Sequence, residues 1–381
     1  MSSGQAFRWN AEDGIVFLGF MPAPFDDRSE PSAVSNDGQV VVGNGFDYDA
    51  KQFPRYGFRW TANEGIVPIG PPPAQGALDG TTALGVSGDG EVVAGFTDVL
   101  PGTRSFRWTV PQGIVGIPLP FTFGSGVSRD GRVLIGRTNT PFSFGAASWT
   151  KAGGTRFLGD LPGGGEQGEA TAVSLDGSVI VGISLSAESG PSNYEAFRWT
   201  EATGMLGLGD LPGGLFRSWA RAVSDDGCVV VGDSSVDYAI PGGNRDEAFI
   251  WDAQHGMRRL FDVLTNDYGM DLTGWYLRSA RGISADGRAI CGYGVNPEGI
   301  TEAWIAYLDG PPPPPCPADF NADSRINSQD FFDYLVAFFT APPCCNADPE
   351  LICLDPANFN HDHCVNSQDF FDFLAAFLAG C

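Results

Sequence analysis

Positive charge is what this chain has least of. Twenty-two Lys and Arg residues stand against 46 Asp and Glu in 381 residues, for a net charge of −24. Nucleic acids and anionic membranes are drawn to basic patches, so neither fits as a partner. Histidine is nearly missing as well, with three in the chain. Only His255, in a Gln-His-Gly turn, precedes the C-terminal tail. A Ser-His-Asp or Cys-His hydrolase needs a histidine beside its nucleophile, so that chemistry is disfavoured. No run of 18 apolar residues occurs, which leaves out a transmembrane helix. Met1-Ser-Ser-Gly-Gln5 shows neither the basic nor the apolar region of a signal peptide. Cysteine is sparse before the tail: Cys228 and Cys291 stand alone in strand-like segments and read as buried free thiols.

What is abundant is Gly (52 residues), Pro (28 residues) and a repeated hairpin. Its clearest copy is AVSLDGSVIVG from Ala172. Relatives are AVSNDGQVVVG from Ala33, GVSGDGEVVAG from Gly85, GVSRDGRVLIG from Gly126, AVSDDGCVVVG from Ala222 and GISADGRAICG from Gly282. Asp-Gly, as at Asp176-Gly177, predicts a two-residue hairpin turn with positive φ. The β-branched run after it, Val179-Ile180-Val181, predicts a strand buried on both faces.

Two further pieces recur between hairpins. One is an aromatic strand: AFRW from Ala6, GFRW from Gly57, SFRW from Ser105, AASW from Ala146, AFRW from Ala196 and AFIW from Ala248. By the two-residue strand period its Phe and Trp share a face and its Arg takes the other. The second resembles GIVFLG, as from Gly14. Four short strands in roughly 40–60 residues are the spacing of a β-propeller blade, which must stack on neighbours to bury its faces. The expected fold is therefore an all-β propeller over residues 1–310, with six blades, or seven as the alternative. Six follow if the N-terminal strands complete the last blade. Seven follow if the chain truly starts upstream.

These AFRW, LGDLPGG and AVSxDGxVVVG segments resemble the HAF-type repeats of secreted bacterial proteins, over roughly residues 5–309. The resemblance implies an extracellular propeller and no defined activity. The LPGG loops at Leu161 and Leu211 lead into strands rather than helices, so they read as turns and not phosphate cradles. Leu260–Leu277 interrupts the repeat and reads as a short helix packing the last blade, or as a loop over one end of the ring. A carboxylate-pair glycosidase needs no histidine. Asp26, Asp27, Asp47, Asp49, Asp233 and Asp237 could supply acids, although solvated loop acids are the plainer reading.

Pro311–Pro315 form a stiff polyproline spacer over residues 311–315. The tail, 316–381, is a duplication: ADFNADSRINSQDFFDYLVAFF from Ala318 and ANFNHDHCVNSQDFFDFLAAFL from Ala357. In the first copy Asp319, Asn321, Asp323, Asn327 and Asp330 place oxygens at positions one, three, five, nine and twelve of a twelve-residue loop. The carbonyl of Arg325 falls at position seven. Hard oxygen donors at that spacing suit calcium. Each loop leads into an aromatic helix, Phe331–Phe339 or Phe370–Leu378, too apolar all round to be freely solvated.

This pair of loop-helix segments, ending in Gly380-Cys381, resembles a dockerin domain of the Gly-Cys-terminal type. The resemblance implies a small α domain of paired EF-hand-like loops holding two calcium ions and a cohesin-like or cell-envelope protein as partner. It carries over the second ligand set: Asn358, Asn360, Asp362, Asn366 and Asp369, with the Cys364 carbonyl. Position six is Ser324 or His363 in place of the usual Gly, and loop two opens with Asn358 in place of Asp. The second site should therefore be the weaker, with affinities of about 10⁻⁴ M or tighter. Ser328, Gln329, Ser367 and Gln368 fall where dockerins touch their partner, although serines there also suit helix N-caps.

Cys316, Cys344, Cys345, Cys353, Cys364 and Cys381 point to disulfides and an oxidising compartment, with Cys316–Cys381 as a clasp of the domain ends. Zinc is the alternative for them, disfavoured by the acidic ligands and the absence of paired CxxC knuckles. The expected function is a noncatalytic propeller, secreted or surface-anchored through a calcium-dependent dockerin-like module. The alternative is a carbohydrate-active enzyme or lectin, with a glycan as ligand, displayed by the same module.

Overall fold

The computed structural model describes residues 4–10, 14–23, 25, 28–46, 55–70, 80–97, 104–139, 144–237, 245–308, 328–340 and 367–379. The chain divides into two compact units, Met1–Leu308 and Asp309–Cys381.

The first unit is an all-β propeller of six blades, preceded by a ribbon of β1 (Ala6–Asn10) and β2 (Gly14–Gly19). Blade one holds β3 (Arg28–Val34), β4 (Val40–Phe46), β5 (Arg55–Thr61) and β6 (Gly65–Pro68). Blade two holds β7 (Thr81–Val86), β8 (Val92–Thr97), β9 (Arg104–Thr109) and β10 (Gly113–Gly116). Blade three holds β11 (Phe121–Val127), β12 (Val133–Thr138), β13 (Ala146–Thr150) and β14 (Gly154–Phe157). Blade four holds β15 (Gly168–Val173), β16 (Val179–Ser184), β17 (Glu195–Thr200) and β18 (Gly204–Gly207). Blade five holds β19 (Ser218–Val223), β20 (Val229–Asp237), β21 (Arg245–Asp252) and β22 (Gly256–Arg259). Helix α1 (Leu260–Asn266) leads to blade six, of β23 (Tyr276–Ile283), β24 (Ala289–Val295) and β25 (Thr301–Tyr307). Each blade is an antiparallel meander in chain order.

The repeated turn corrects the two-residue expectation. In blade four Ser174 N–H donates to the Val179 carbonyl, so four residues, Leu175 to Ser178, make the connection. Gly177 N–H returns to the Ser174 carbonyl, with Gly177 at φ +78°. Because that carbonyl is taken, Ser174 Oγ accepts the Val179 N–H instead, at 3.0 Å, and donates to Asp176 Oδ1 at 3.1 Å. Asp176 Oδ1 also accepts the Ser178 N–H, at 2.9 Å. The same set of bonds recurs around Ser35, Ser87, Ser128, Ser224 and Ser284. The Ser-x-Asp-Gly signature is thus a turn that satisfies its own polar groups.

The β-branched strands after the turns are buried as expected, Val40–Val42, Val92–Ala94 and Val179–Val181 among them. The glycine closing such a strand has a packing reason. A Cβ on Gly182 would run into the Glu169 carbonyl of β15 and the ring of Phe197 on β17.

Successive blades join through their inner strands. Ser125 Oγ donates to the Ala170 carbonyl at 2.5 Å, and Thr171 Oγ1 to the Ala220 carbonyl at 2.7 Å. Helix α1 forms the first part of the Leu260–Leu277 insertion and buries Leu260, Val263 and Leu264 against Leu277, Ile283 and Ile290.

The closure expected at the ring's end is corrected. Blade six has its own third strand, β25, and the ribbon is a separate two-stranded sheet. It packs on blade one instead, where Ala6, Leu18, Met21 and Phe25 join Val41, Tyr56, Phe58 and Trp60.

In the second unit, helix α2 spans Ser328–Thr340 and helix α3 spans Ser367–Ala379. Asp330 and Asp369 fall in the first turns of these helices.

Candidate functional site

The helices of the second unit meet through aromatic side chains. Tyr334 and Phe373 are fully buried and stack face to face, with centroids 4.0 Å apart and 7° between planes. Phe331 meets Phe377 at 5.8 Å on one side, and Phe338 meets Phe370 at 5.9 Å on the other. The order is antiparallel. In the duplicated sequence Phe331 corresponds to Phe370, Tyr334 to Phe373 and Phe338 to Phe377. The two outer contacts therefore exchange under a two-fold axis through the central stack.

The residues expected to touch a partner open these helices. Ser328 and Ser367 are the first residues of α2 and α3. Gln329 Nε2 donates to Asp333 Oδ1, and Gln368 Nε2 to Asp372 Oδ1, each at 2.8 Å. Identical pairs thus stand at symmetry-related positions. Phe332, Val336, Phe339 and Phe371 expose their side chains.

The expected calcium ligands Asp319, Asn321, Asp323, Arg325, Asn327, Asn358, Asn360, Asp362, Cys364 and Asn366 lie outside the described residues, as do the six tail cysteines and the proline spacer. Among the described residues no cluster of three His, Cys, Asp or Glu is placed to hold a metal.

In the propeller, the variable residues of the Ser-x-Asp-Gly turns meet their neighbours, with the turn Asp130 making the link from blade three to blade four. Asn36 N–H donates to the Gly88 carbonyl and Gly88 N–H to Arg129, at 2.9 and 2.8 Å. Asp130 N–H donates to Leu175, Leu175 N–H to Asp225, and Asp225 N–H to Ala285, at 3.2, 3.1 and 3.0 Å. The six turns form one backbone ladder. Across it the Arg129 guanidinium bonds Asn36 of blade one and pairs with Asp225 of blade five. Turns of blades one, three and five therefore converge on one arginine. Sequence reading missed this site because x varies from copy to copy; that variability was itself the available signal.

The propeller's acids are largely committed. Asp233 corrects the reading of a loop-edge acid: it lies buried on β20, 3% exposed. Arg221 Nε and Nη2 reach its two oxygens at 2.8 and 3.2 Å, and Ser279 Oγ of blade six donates to it at 2.7 Å. A cleft lined by Ser148, Thr155, Arg156, Trp199 and Glu201 separates blades three and four. Arg156 grips Glu201 there through two bonds of 2.6 Å, holding that carboxyl below its ordinary pKa. Burial, and the nearby charge of Glu195, push Asp210 up to about 6. His255 Nδ1 lies 2.9 Å from both Asp252 carboxylate oxygens. Asp26, Asp27, Asp47 and Asp49 lie outside the described residues, as does the Asp237 side chain.

Cys228 and Cys291 are free but exposed, against expectation. Cys228 falls in the turn after Gly227, its N–H on Asp226 Oδ1. Cys291 sits on β24, in a last blade that no further described blade covers.

The chain matches no family model and no curated protein. Solved structures resembling it include the putative TolB from Agrobacterium tumefaciens, at 16% identity and a TM-score of 0.45, covering 79% of this chain and 99% of that one. An oligogalacturonate lyase in complex with manganese gives 14% and 0.46, covering 79% and 85%. The β-propeller domain of the trilobed protease from Pyrococcus furiosus gives 11% and 0.45, covering 73% and 79%. Likeness at this level says nothing of activity.

Proposed function

We propose that this protein is a noncatalytic propeller, secreted or surface-anchored through a calcium-dependent C-terminal module that docks on a cohesin-like or cell-envelope partner. The observation that carries the reading is the duplication in the second unit. Both helices open with Ser-Gln-Asp-Phe-Phe-Asp and pair about a two-fold axis. Each follows a loop with oxygen donors at calcium-loop spacing. Asp319, Asn321, Asp323, Asn327 and Asp330, with the Arg325 carbonyl, would hold one ion. Asn358, Asn360, Asp362, Asn366 and Asp369, with the Cys364 carbonyl, would hold the other. Calcium would neutralise the clustered carboxylates and tie each loop to the start of its helix. Ser328, Gln329, Ser367 and Gln368 would then present a symmetric polar rim beside the exposed Phe332 and Phe371.

The noncatalytic reading of the propeller is supported by how its acids are used. The turn aspartates bond within their own turns, Asp233 is locked by Arg221 and Ser279, and Glu201 is held by Arg156.

Calorimetric titration of the full chain with calcium, beside capture from envelope and culture fractions, tests the reading. Uptake of about two ions, weakened by Asp330→Ala, and capture reversed by chelator are expected. Unchanged melting in chelator together with no calcium uptake would overturn it.

A further inference from the structure

We propose that the N-terminal ribbon is the outer half of a further blade, and that its exposed aromatic face is a docking site for a β-hairpin with the chemistry of the protein's own Ser-x-Asp-Gly repeat. The first observation is a contrast within one motif. Phe58, Phe106, Phe197 and Phe249, the Phe of the aromatic strand in four blades, are all 0% exposed. Phe7, in the same motif on β1, is 47% exposed. Trp60 and Trp199 are 6% and 7% exposed, whereas Trp9 is 51% exposed. Ile15 on β2 is 58% exposed, whereas its counterpart Met205 on β18 is 9% exposed.

The ribbon is not loosely placed. Arg8 Nη1 donates to the Gly38 carbonyl at 3.3 Å, as Arg59 Nε does to Gly90 at 3.4 Å and Arg198 Nε to Gly227 at 3.1 Å. Ala6 N–H donates to Ser29 Oγ at 2.9 Å, as Ala196 N–H does to Ser218 Oγ at 2.9 Å. So β1 holds toward blade one the position that β5 holds toward blade two and β17 toward blade five.

What covers the aromatic strand elsewhere is known from the other blades. In blade four Phe197 pairs with Gly182, the glycine that closes the β-branched strand β16, and packs against it. That strand also starts with Val179, which lies over the turn glycine of the next blade, Gly227. Val40, Val92 and Val133 cover Gly90, Gly131 and Gly177 in the same way. Among the described residues, nothing lies within 4 Å of a Cβ on Gly38. The far flank agrees: Ile305 on β25 is 47% exposed, while Ile250, its counterpart on β21, is 5% exposed beneath blade six. A hairpin whose second strand reads Val-Val-Val-Gly would cover Gly38, Phe7 and Trp9 together, by strand addition to a sheet edge.

The test uses the full chain and a fluorescent peptide of residues 168–184, the hairpin of blade four. Saturable one-to-one binding by anisotropy is expected, weakened about tenfold or more by Phe7→Asp or Trp9→Asp, since hot spots centre on buried aromatics. Both positions are exposed, so circular dichroism of the variants should match the parent. A peptide carrying Val179→Asp and Val181→Asp should not bind. Absence of binding, or binding indifferent to Phe7 and Trp9, would overturn the proposal. So would a dimer in light scattering that Trp9→Asp dissolves, which would make a second copy the occupant.

Discussion

The guanidinium of Arg129, in the third blade, pairs with the carboxylate of Asp225, in the fifth. The two side chains are 27% and 18% exposed. Burial raises the Asp225 carboxyl, and Arg129 offsets part of that cost. Arg129→Ala should therefore destabilise the propeller by about 1–3 kcal/mol, because a partly buried carboxylate loses its partner. Asp225→Asn in the same chain should restore part of the loss. Urea unfolding of both single variants and the double variant measures this coupling.

The turn aspartates set the behaviour in acid. Asp37, Asp89, Asp226 and Asp286 are held below the usual carboxylate range, first by the hydroxyl of the turn serine; Asp176 is held there first by the Ser178 N–H. A carboxyl whose folded pKa is depressed stabilises the fold above its unfolded value, about 3.9, and that stability is lost as pH falls through the folded pKa. Urea midpoints should fall below about pH 4, and less steeply when these aspartates are replaced by Asn. Ser87→Ala, which removes two bonds of one turn, should cost about 1–2 kcal/mol at neutral pH.

Asp210 should behave in the opposite sense. Its carboxyl is pushed up to about 6. Its stabilising protonated form is complete below pH 3.9 and is lost as pH rises toward 6. Asp210→Asn should raise stability at pH 7, by about 1 kcal/mol once partial exposure of the group is allowed for. Thermal melts at pH 4 and pH 7 should show the gain only at the higher pH.

The helix pair of the second unit turns on its central stack. Phe373→Ala removes a fully buried ring and should cost about 3–5 kcal/mol, with loss of amide protection along both α2 and α3. Phe339, 78% exposed, should tolerate Ala within about 0.5 kcal/mol. Hydrogen exchange of the full chain distinguishes the two.

If the tail holds two calcium ions, Asn358 makes the second site the weaker by one charge. Asn358→Asp should tighten that site roughly tenfold in calorimetric titration and leave the first unchanged.

The repeats declared the blades because each is specified locally. Ser174, Asp176, Gly177 and Val179 satisfy one another within a few residues, so a short motif sufficed to place each hairpin. The seventh aromatic strand, β25, escaped notice because Glu-Ala-Trp-Ile-Ala-Tyr departs from the Phe-Arg-Trp pattern. The two-residue turn was misjudged because the serine hydroxyl replaces a backbone carbonyl, and spacing alone does not show that exchange. Two exposed thiols were read as buried because a strand pattern says nothing of whether a neighbouring blade covers it.

By itself the sequence determined the strands, their order, the place of each hairpin turn and the duplicated helices, since all of these rest on bonds between residues near in the chain. Tertiary structure alone decided that Arg129 joins Asn36 to Asp225, that Asp233 is locked by Ser279 of the next blade, and that Phe7 lies open while Phe197 is buried. The motif around Phe7 and Phe197 is the same. Burial is conferred by the neighbouring strand, and which strand becomes the neighbour is settled only when the blades assemble.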